Sequence, residues 1–169
     1  MSEEKIRLRA LEMEDLEFLY DVENDRSLWG VSCTNVPYSR QMLIDYIASS
    51  TADIYADKQV RFIVENEQRQ TIGMVDLVNF EPRHLRAELG IVIRHEERGK
   101  GYAQEAIRQI LVYAKRILHL HQVYAVVSVK NVKAVKMLEN VGFESGKILK
   151  DWLLEGEKYE NAYIFQSFL

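Results

Sequence analysis

Two glycines flank a lysine where a polar turn leads into a strong helical pattern. Gly99-Lys100-Gly101 follows the strand-like run Ile91-Val92-Ile93 and the polar segment 94–98, and it precedes Tyr102-Ala103. The free N–H groups and the positive dipole end of a helix N-terminus bind phosphate oxygens, and glycines let the ligand reach the main chain. The loop therefore indicates a phosphate-bearing ligand, and glycines that serve only a tight turn are the alternative.

The common nucleotide motifs do not fit this loop. A P-loop needs glycine at position 94 and serine or threonine at position 101, where this chain has Arg94 and Gly101. A dinucleotide fingerprint that starts at Gly99 needs glycine or alanine at position 104, which is Gln104. The ligand is therefore not expected to bind through either motif.

Two other reactive residue types favour structural roles. Cys33 is the single cysteine, so a disulfide framework and a cysteine-rich zinc site are excluded, and we expect a small packed side chain rather than a nucleophile. His119 and His121 span a helix end without a third ligand nearby in sequence. We therefore expect no metal.

The hydrophobic pattern around the loop predicts a mixed α/β sheet covered by helices. Predicted strands cover residues 6–9, 60–65, 71–80, 86–93, 123–129, 143–152 and 159–168. Predicted helices cover residues 12–23, 39–50, 103–118 and 131–141. The three middle strands form an antiparallel meander because only short turns separate them. The helix after the glycine loop is the clearest element, because its apolar residues repeat every three or four positions.

The composition and net charge indicate which classes of partner the protein binds. The 169 residues carry 22 Lys and Arg against 26 Asp and Glu, which gives a net charge of −4, and 47% are hydrophobic. This balance argues against binding nucleic acid by phosphate neutralisation and suits a cationic partner. No run approaches a membrane span, and the N-terminus does not resemble a signal peptide. We expect one domain over residues 1–169, located in the cytoplasm.

The segment Arg98-x-x-Gly101-x-Ala103 resembles the Arg/Gln-x-x-Gly-x-Gly/Ala signature of the GNAT superfamily of acyl-CoA-dependent N-acetyltransferases. Residues 8–15 are similar to the family's first strand and helix entry, and Asn131 to Phe143 is similar to its late helix. The resemblance covers essentially the whole chain. It implies the GNAT fold, with acetyl-CoA as co-substrate and no metal.

Within the family, three stretches resemble bacterial spermidine N-acetyltransferases and ribosomal-protein N-acetyltransferases: Arg61 to Glu65, Gly73 to Val78, and Arg86 to Leu89. Spermidine acetyltransferases tend to have acidic residues just before the early Pro-Tyr and at the end of the third strand. This chain has Asn35-Val36 and Asn79 there. The acceptor therefore stays open between a polyamine such as spermidine, another small amine and a protein N-terminus.

The resemblance also implies where the coenzyme binds. The loop amides hold its pyrophosphate, the fourth-strand amides from Gly90 to Val92 orient the thioester carbonyl, and Asn131 contacts the pantetheine arm. The full expected set is Gly90, Ile91, Val92, Ile93, Arg98, Gly99, Lys100, Gly101, Tyr102, Ala103, Asn131 and Lys133. For the lysines Lys130, Lys133 and Lys136, a solvated helix face is the alternative.

The resemblance is less informative about the catalytic groups. Many GNAT enzymes protonate the leaving thiolate with a tyrosine of the late helix, but that position is Leu138, which leaves Tyr102, Ser128 or solvent. Glu88 shares a strand face with Gly90 and is the candidate base; a solvated or Arg86-paired carboxylate is the alternative.

Recognition of the acceptor is expected from other side chains. Asp76, Glu81 and Tyr38 are the candidate contacts, and Asp76 and Glu81 are also weaker alternatives to Glu88 as the base. Trp29 and Trp152 either line the pocket or pack in the core. We expect an enzyme that acetylates a primary amine by direct attack in a ternary complex. A non-catalytic acyl-CoA-binding module is the alternative of a different class. We expect a homo-oligomer, dimer or larger, that binds neither nucleic acid nor membrane.

Overall fold

A computed structural model describes residues 5–28 and 36–169 of the chain. The predictions for Trp29, Cys33 and Asn35 lie outside these described residues. Among the described residues, no helix is long and apolar enough to cross a membrane.

Among residues 5–28 and 36–169, seven strands form one sheet in the order β1-β2-β3-β4-β5-β7-β6. They are β1 (Ile6–Ala10), β2 (Val60–Asn66), β3 (Thr71–Glu81), β4 (Arg86–Ile93), β5 (Gln122–Ser128), β6 (Glu144–Glu155) and β7 (Lys158–Phe168). Strands β4 and β5 pair in parallel, and every other neighbouring pair is antiparallel. The predicted mixed sheet and its antiparallel β2-β3-β4 meander are confirmed.

In the described ranges, five α-helices accompany the sheet: α1 (Leu16–Glu23), α2 (Arg40–Ser49), α3 (Ile54–Asp57), α4 (Tyr102–Arg116) and α5 (Val132–Asn140). Two predicted N-caps are confirmed. Ser39 accepts a hydrogen bond from the Met42 N–H, and Asn131 accepts one from the Ala134 N–H.

Each face of the sheet packs against its own helices. The buried side of α4, including Ile107 and Ile110, packs against one face in a core shared with Val75 of β3. On the other face, Phe18 and Leu19 of α1 and Leu43 of α2 cover Met74 and other sheet residues. Met74 and its neighbour Val75 belong to different cores because successive strand side chains point to opposite faces.

Strands β4 and β5 pair over only three residues each. Arg86 to Glu88 of β4 register with Gln122 to Tyr124 of β5, whereas β4 continues to Ile93 in register with β3 alone. From residue 89 onward, the edge of β4 that faces away from β3 therefore has no strand partner among the described residues. The structure thus opens a gap in the sheet beside the loop that follows β4.

Some element boundaries differ from the sequence prediction. The predicted first helix divides into a 3-10 turn, Met13–Asp15, and α1, and the Glu12 N–H donates to Asp15 Oδ2 at this junction. Helix α3 was not predicted because four residues are too few to show a helical repeat. Helix α4 ends at Arg116 rather than residue 118, and His119 beyond it has a positive φ of 54°.

Candidate active site

The loop after β4 carries an exposed helix start. Gly99 and Gly101 adopt φ angles of 78° and 84°, which favour glycine, and Gly101 is the N-cap of α4. No side chain caps this helix, so its first N–H groups are open to an anion. A Cβ on Gly99 would meet no atom within 4 Å, so a ligand has free approach to the main chain.

Three cationic side chains surround this loop in different ways. The Arg98 guanidinium donates through Nε to the Ile93 carbonyl at 3.0 Å and thereby closes the loop. Lys100 Nζ lies 2.9 Å from Glu97 Oε2, and this hydrogen bond raises the pKa of Lys100. Lys5 donates to the Lys100 carbonyl, and its ammonium lies 5.4 Å from the centre of the Tyr102 ring. Sequence analysis missed Lys5 because it lies 95 residues from Lys100 in sequence.

A second polar group lies where β4 and β5 part. Glu88 of β4 is half-buried and accepts a hydrogen bond from Asn79 Nδ2 at 2.7 Å. Asn79 has a φ of 50° and lies in the irregular stretch of β3 between Val78 and Glu81. On β5, Tyr124 is the registered partner of Glu88, so the two side chains are neighbours on one face of the sheet. Burial and the charge of Glu88 raise the pKa of Tyr124.

The predicted contact Asp76 lies on the same face and is part of a buried ion-pair network. Arg61 holds it with two hydrogen bonds, of 2.9 Å from Nε and 2.8 Å from Nη2, and also reaches Glu23 of α1 at 3.0 Å. Burial opposes the Arg61 charge, but the combined effect of Asp76, Tyr46 and Glu23 exceeds it, and the pKa of Arg61 rises above its usual range. Asp76 also lies beside Gly90, so the network borders the open segment of β4.

The remaining predicted residues lie at several places around this centre. Tyr102 begins α4, beyond the loop that follows β4, and about 17 Å of strand separates Glu88 from the loop end of β4 at Ile93. Glu81 is exposed at the end of β3 in register with Arg86, and Tyr38 is hydrogen-bonded through its main chain to Asn24. Trp152 is exposed on β6.

Near α5, Lys133 and Lys136 are exposed, Lys130 pairs with Glu160, and Asn131 uses its side-chain oxygen as the helix cap. Leu138 is buried in the core shared with α4. Within the described residues, no group of three or more His, Cys, Asp or Glu side chains is arranged to hold a metal ion.

Comparison with known proteins identifies relatives along nearly the whole chain. The Acetyltransferase (GNAT) domain family matches residues 5–144. The spermidine N(1)-acetyltransferase of Vibrio cholerae is 34% identical over 166 residues, which cover 96% of this chain and 94% of that protein. A Bacillus subtilis protein whose name gives ribosomal N-acetyltransferase as its proposed activity is 29% identical, with coverage of 95% and 90%.

Solved structures agree with the sequence relatives. The Vibrio cholerae spermidine N-acetyltransferase in complex with CoA and spermine superposes with a TM-score of 0.86 at 32% identity, covering 98% of this chain and 96% of that one. A dodecameric structure of the Vibrio cholerae enzyme superposes with a TM-score of 0.82 at 32% identity, covering 98% and 95%. With a family match over most of its length and full-length relatives above 30% identity, the chain belongs to the GNAT family of N-acetyltransferases.

Proposed function

We propose that this protein transfers an acetyl group from acetyl-CoA to a primary amine, with a polyamine such as spermidine as the first candidate acceptor. The observation that carries the proposal is the open edge of β4 next to the uncapped start of α4. One strand edge and one helix start together present main-chain N–H groups along a continuous path. Such a path suits a ligand with a phosphate group at one end and amide groups along its length.

The residues at the two ends of this path fit the coenzyme. Its phosphates would meet the main chain from Gly99 to Ala103, with charge supplied by the surrounding Arg98, Lys100 and Lys5 side chains. The pantetheine arm would add to the open segment from Gly90 to Ile93, with Asn131 and Lys133 on the α5 side. When bound, the coenzyme supplies the acetyl thioester.

The chain's own groups would then promote direct attack by the amine. An alkylamine with a pKa near 10 is neutral in only about one molecule in 10³ at pH 7, so a nearby proton acceptor raises the rate. Glu88 is our candidate, because Asn79 orients its carboxylate at the closed end of the gap. Main-chain N–H groups between Gly90 and Val92 would stabilise the developing oxyanion.

The acceptor class follows from the charge on this face and from the relatives. The carboxylate groups of Glu88 and Asp76 lie on the face of β4 and β3 that carries Gly90, although Arg61 already neutralises Asp76. The Vibrio cholerae relative is named for spermidine and was solved with spermine. We include Glu81 and Tyr38 as outer contacts for a long cationic acceptor.

A panel of acceptors tests this proposal. Release of free thiol from acetyl-CoA is measured with spermidine, spermine, a monoamine, and a peptide with a free N-terminus that matches a ribosomal protein. The proposal predicts the highest kcat/KM with a polyamine. The relative named for ribosomal acetylation makes the peptide the second candidate, and a higher kcat/KM with the peptide would replace the polyamine assignment.

Binding without turnover is the outcome that would contradict an enzyme of any specificity. If CoA raises the unfolding temperature but no amine or peptide yields thiol, the chain is an acyl-CoA-binding module. If CoA gives no thermal protection, the coenzyme site itself is wrong.

We infer that residues 1–169 act as one catalytic domain in the cytoplasm. We also infer that the chain self-associates, by analogy with the dodecamer of its Vibrio cholerae relative.

A further inference from the structure

The proposed reaction needs a proton donor for the leaving sulfur, and α5 does not provide one. Helix α5 has the sequence VKAVKMLEN, which contains no hydroxyl side chain, and Leu138 is buried in the core. Tyr102 lies at the loop end of the gap, and Ser128 ends β5, where its Oγ accepts the Lys130 N–H. Neither hydroxyl belongs to a residue in register with Glu88, so the closed end of the gap is the other place for a donor.

Tyr124 is the hydroxyl at the point where the strands separate. It is the β5 partner of Glu88, and it shares the sheet face that carries Glu88 and Gly90. The Glu88 charge acts on its hydroxyl, and Asn79 fixes the Glu88 carboxylate through Oε2. Burial and the Glu88 charge raise the pKa of Tyr124, so the phenol keeps its proton at neutral pH.

Tyr124 is also accessible on this face. It lines a cavity of about 270 Å³ together with Arg86, Gln122, Ile164 and Gln166. The Arg86 guanidinium favours a phenolate, although burial and Glu88 outweigh it. The phenol of Tyr124 therefore faces a cavity beside the closed end of the gap, next to its strand partner Glu88.

We propose that Glu88 and Tyr124 form a proton relay that serves both halves of acetyl transfer, on the basis of the function proposed above. As the amine nitrogen bonds to the thioester carbonyl carbon, its proton passes to Glu88. As the carbon–sulfur bond breaks, the Tyr124 hydroxyl gives its proton to the leaving sulfur. The protonated Glu88 then returns a proton to the oxygen of the neighbouring Tyr124, so that one proton moves from nitrogen to sulfur and the pair is restored.

The relay is tested with Tyr124→Phe, Glu88→Gln and the double variant. Tyr124→Phe removes only the hydroxyl, and we expect kcat to fall about 10²-fold or more, while the KM for acetyl-CoA changes less than about 2-fold. Because both groups act in one proton-transfer path, the kcat of the double variant should be no lower than that of the slower single variant. Tyr163→Phe is the matched control, because Tyr163 packs on the opposite face of the sheet, in the core shared with α4.

The outcomes test the folding of the variants, the relay and the proposed function separately. Thermal protection by CoA confirms that every variant is folded. If Tyr124→Phe keeps more than about half of the wild-type kcat, or if the two single losses multiply in the double variant, the relay is wrong and the acetyltransferase remains. If the wild-type protein acetylates no acceptor, the proposed function fails and the relay fails with it.

Discussion

Lys5 lies next to the helix start that we assign to the coenzyme phosphates. Within residues 5–28 and 36–169, it is not paired with a carboxylate, whereas Lys100 pairs with Glu97. Its ammonium would lie 3.5 Å from a Cβ built on Gly101. The cation that sequence analysis missed is therefore better placed to meet a phosphate than the lysine inside the motif.

The variant Lys5→Met should raise the KM for acetyl-CoA about 3- to 10-fold and leave kcat nearly unchanged, because a charge at the phosphate end acts on binding. The difference from wild type should shrink at high salt. Lys115→Met is the control, since it removes the same charge from the other end of α4. A KM equal to wild type at low salt would exclude Lys5 from the coenzyme site.

Gly90 offers a test of where the thioester lies. A Cβ on Gly90 would lie 3.6 Å from the Asp76 Cβ, which is an ordinary contact, so the fold accepts Gly90→Ala without strain. We expect equal or higher stability, since glycine destabilises a strand interior by about 0.5–1 kcal/mol relative to alanine. We also expect kcat/KM for acetyl-CoA to fall about 10-fold if substrate packs against this glycine. A stable variant with full kcat/KM would show that no reacting group approaches Gly90 this closely.

At the scale of elements, α4 holds the loop against the sheet through its buried face. Ile107 has no exposed surface and lies in the largest core cluster. Ile107→Ala should lower the free energy of unfolding by about 2–5 kcal/mol, measured by urea denaturation, because the cavity it leaves cannot close completely. Val112→Ala on the exposed side of the same helix should change stability by less than about 0.5 kcal/mol. Similar losses for both variants would mean that α4 is not anchored as the structure shows.

The sequence was informative where the signal is local. The apolar repeat of α4 and the alternation in β2, β3 and β4 predict these elements because helix and strand periodicities differ. The gap between β4 and β5 depends on how far two strands 30 or more residues apart stay paired, which no local pattern encodes. The contacts of Arg61 with Asp76 and of Tyr124 with Glu88 likewise depend on strand register, so sequence analysis proposed Asp76 and Glu88 without their partners.

The position of Asn79 shows a second limit. Residues 71–80 form an uninterrupted strand-like run, yet Asn79 adopts a positive φ in the irregular end of β3 and turns its amide toward Glu88. In the sequence, Asn79 stands out only because the family resemblance places an acidic residue there. Its observed role as a hydrogen-bond donor to Glu88 follows from a backbone irregularity, which strand alternation cannot predict.

At the scale of the whole molecule, the two edges of the sheet differ. Strand β1 has five residues, whereas β6 has twelve and, within the described part of the chain, pairs only with β7. Ile148, Trp152 and Leu154 of β6 are each about half exposed. A long edge strand with exposed apolar side chains is a site where chains associate, because its unpaired main-chain groups and apolar surface are both covered by a partner.

We therefore expect the proposed self-association to use the β6 edge. Light scattering should give a mass of two or more chains, and Trp152→Glu should lower that mass because a carboxylate is costly to bury in an apolar interface. Val112→Glu, on the outer face of α4, introduces the same charge on another surface and should leave the mass unchanged. A single-chain mass for the wild type would contradict self-association. An unchanged assembly in Trp152→Glu would move the interface away from β6, because an interface that contains this half-exposed tryptophan cannot accept a charge there without weakening.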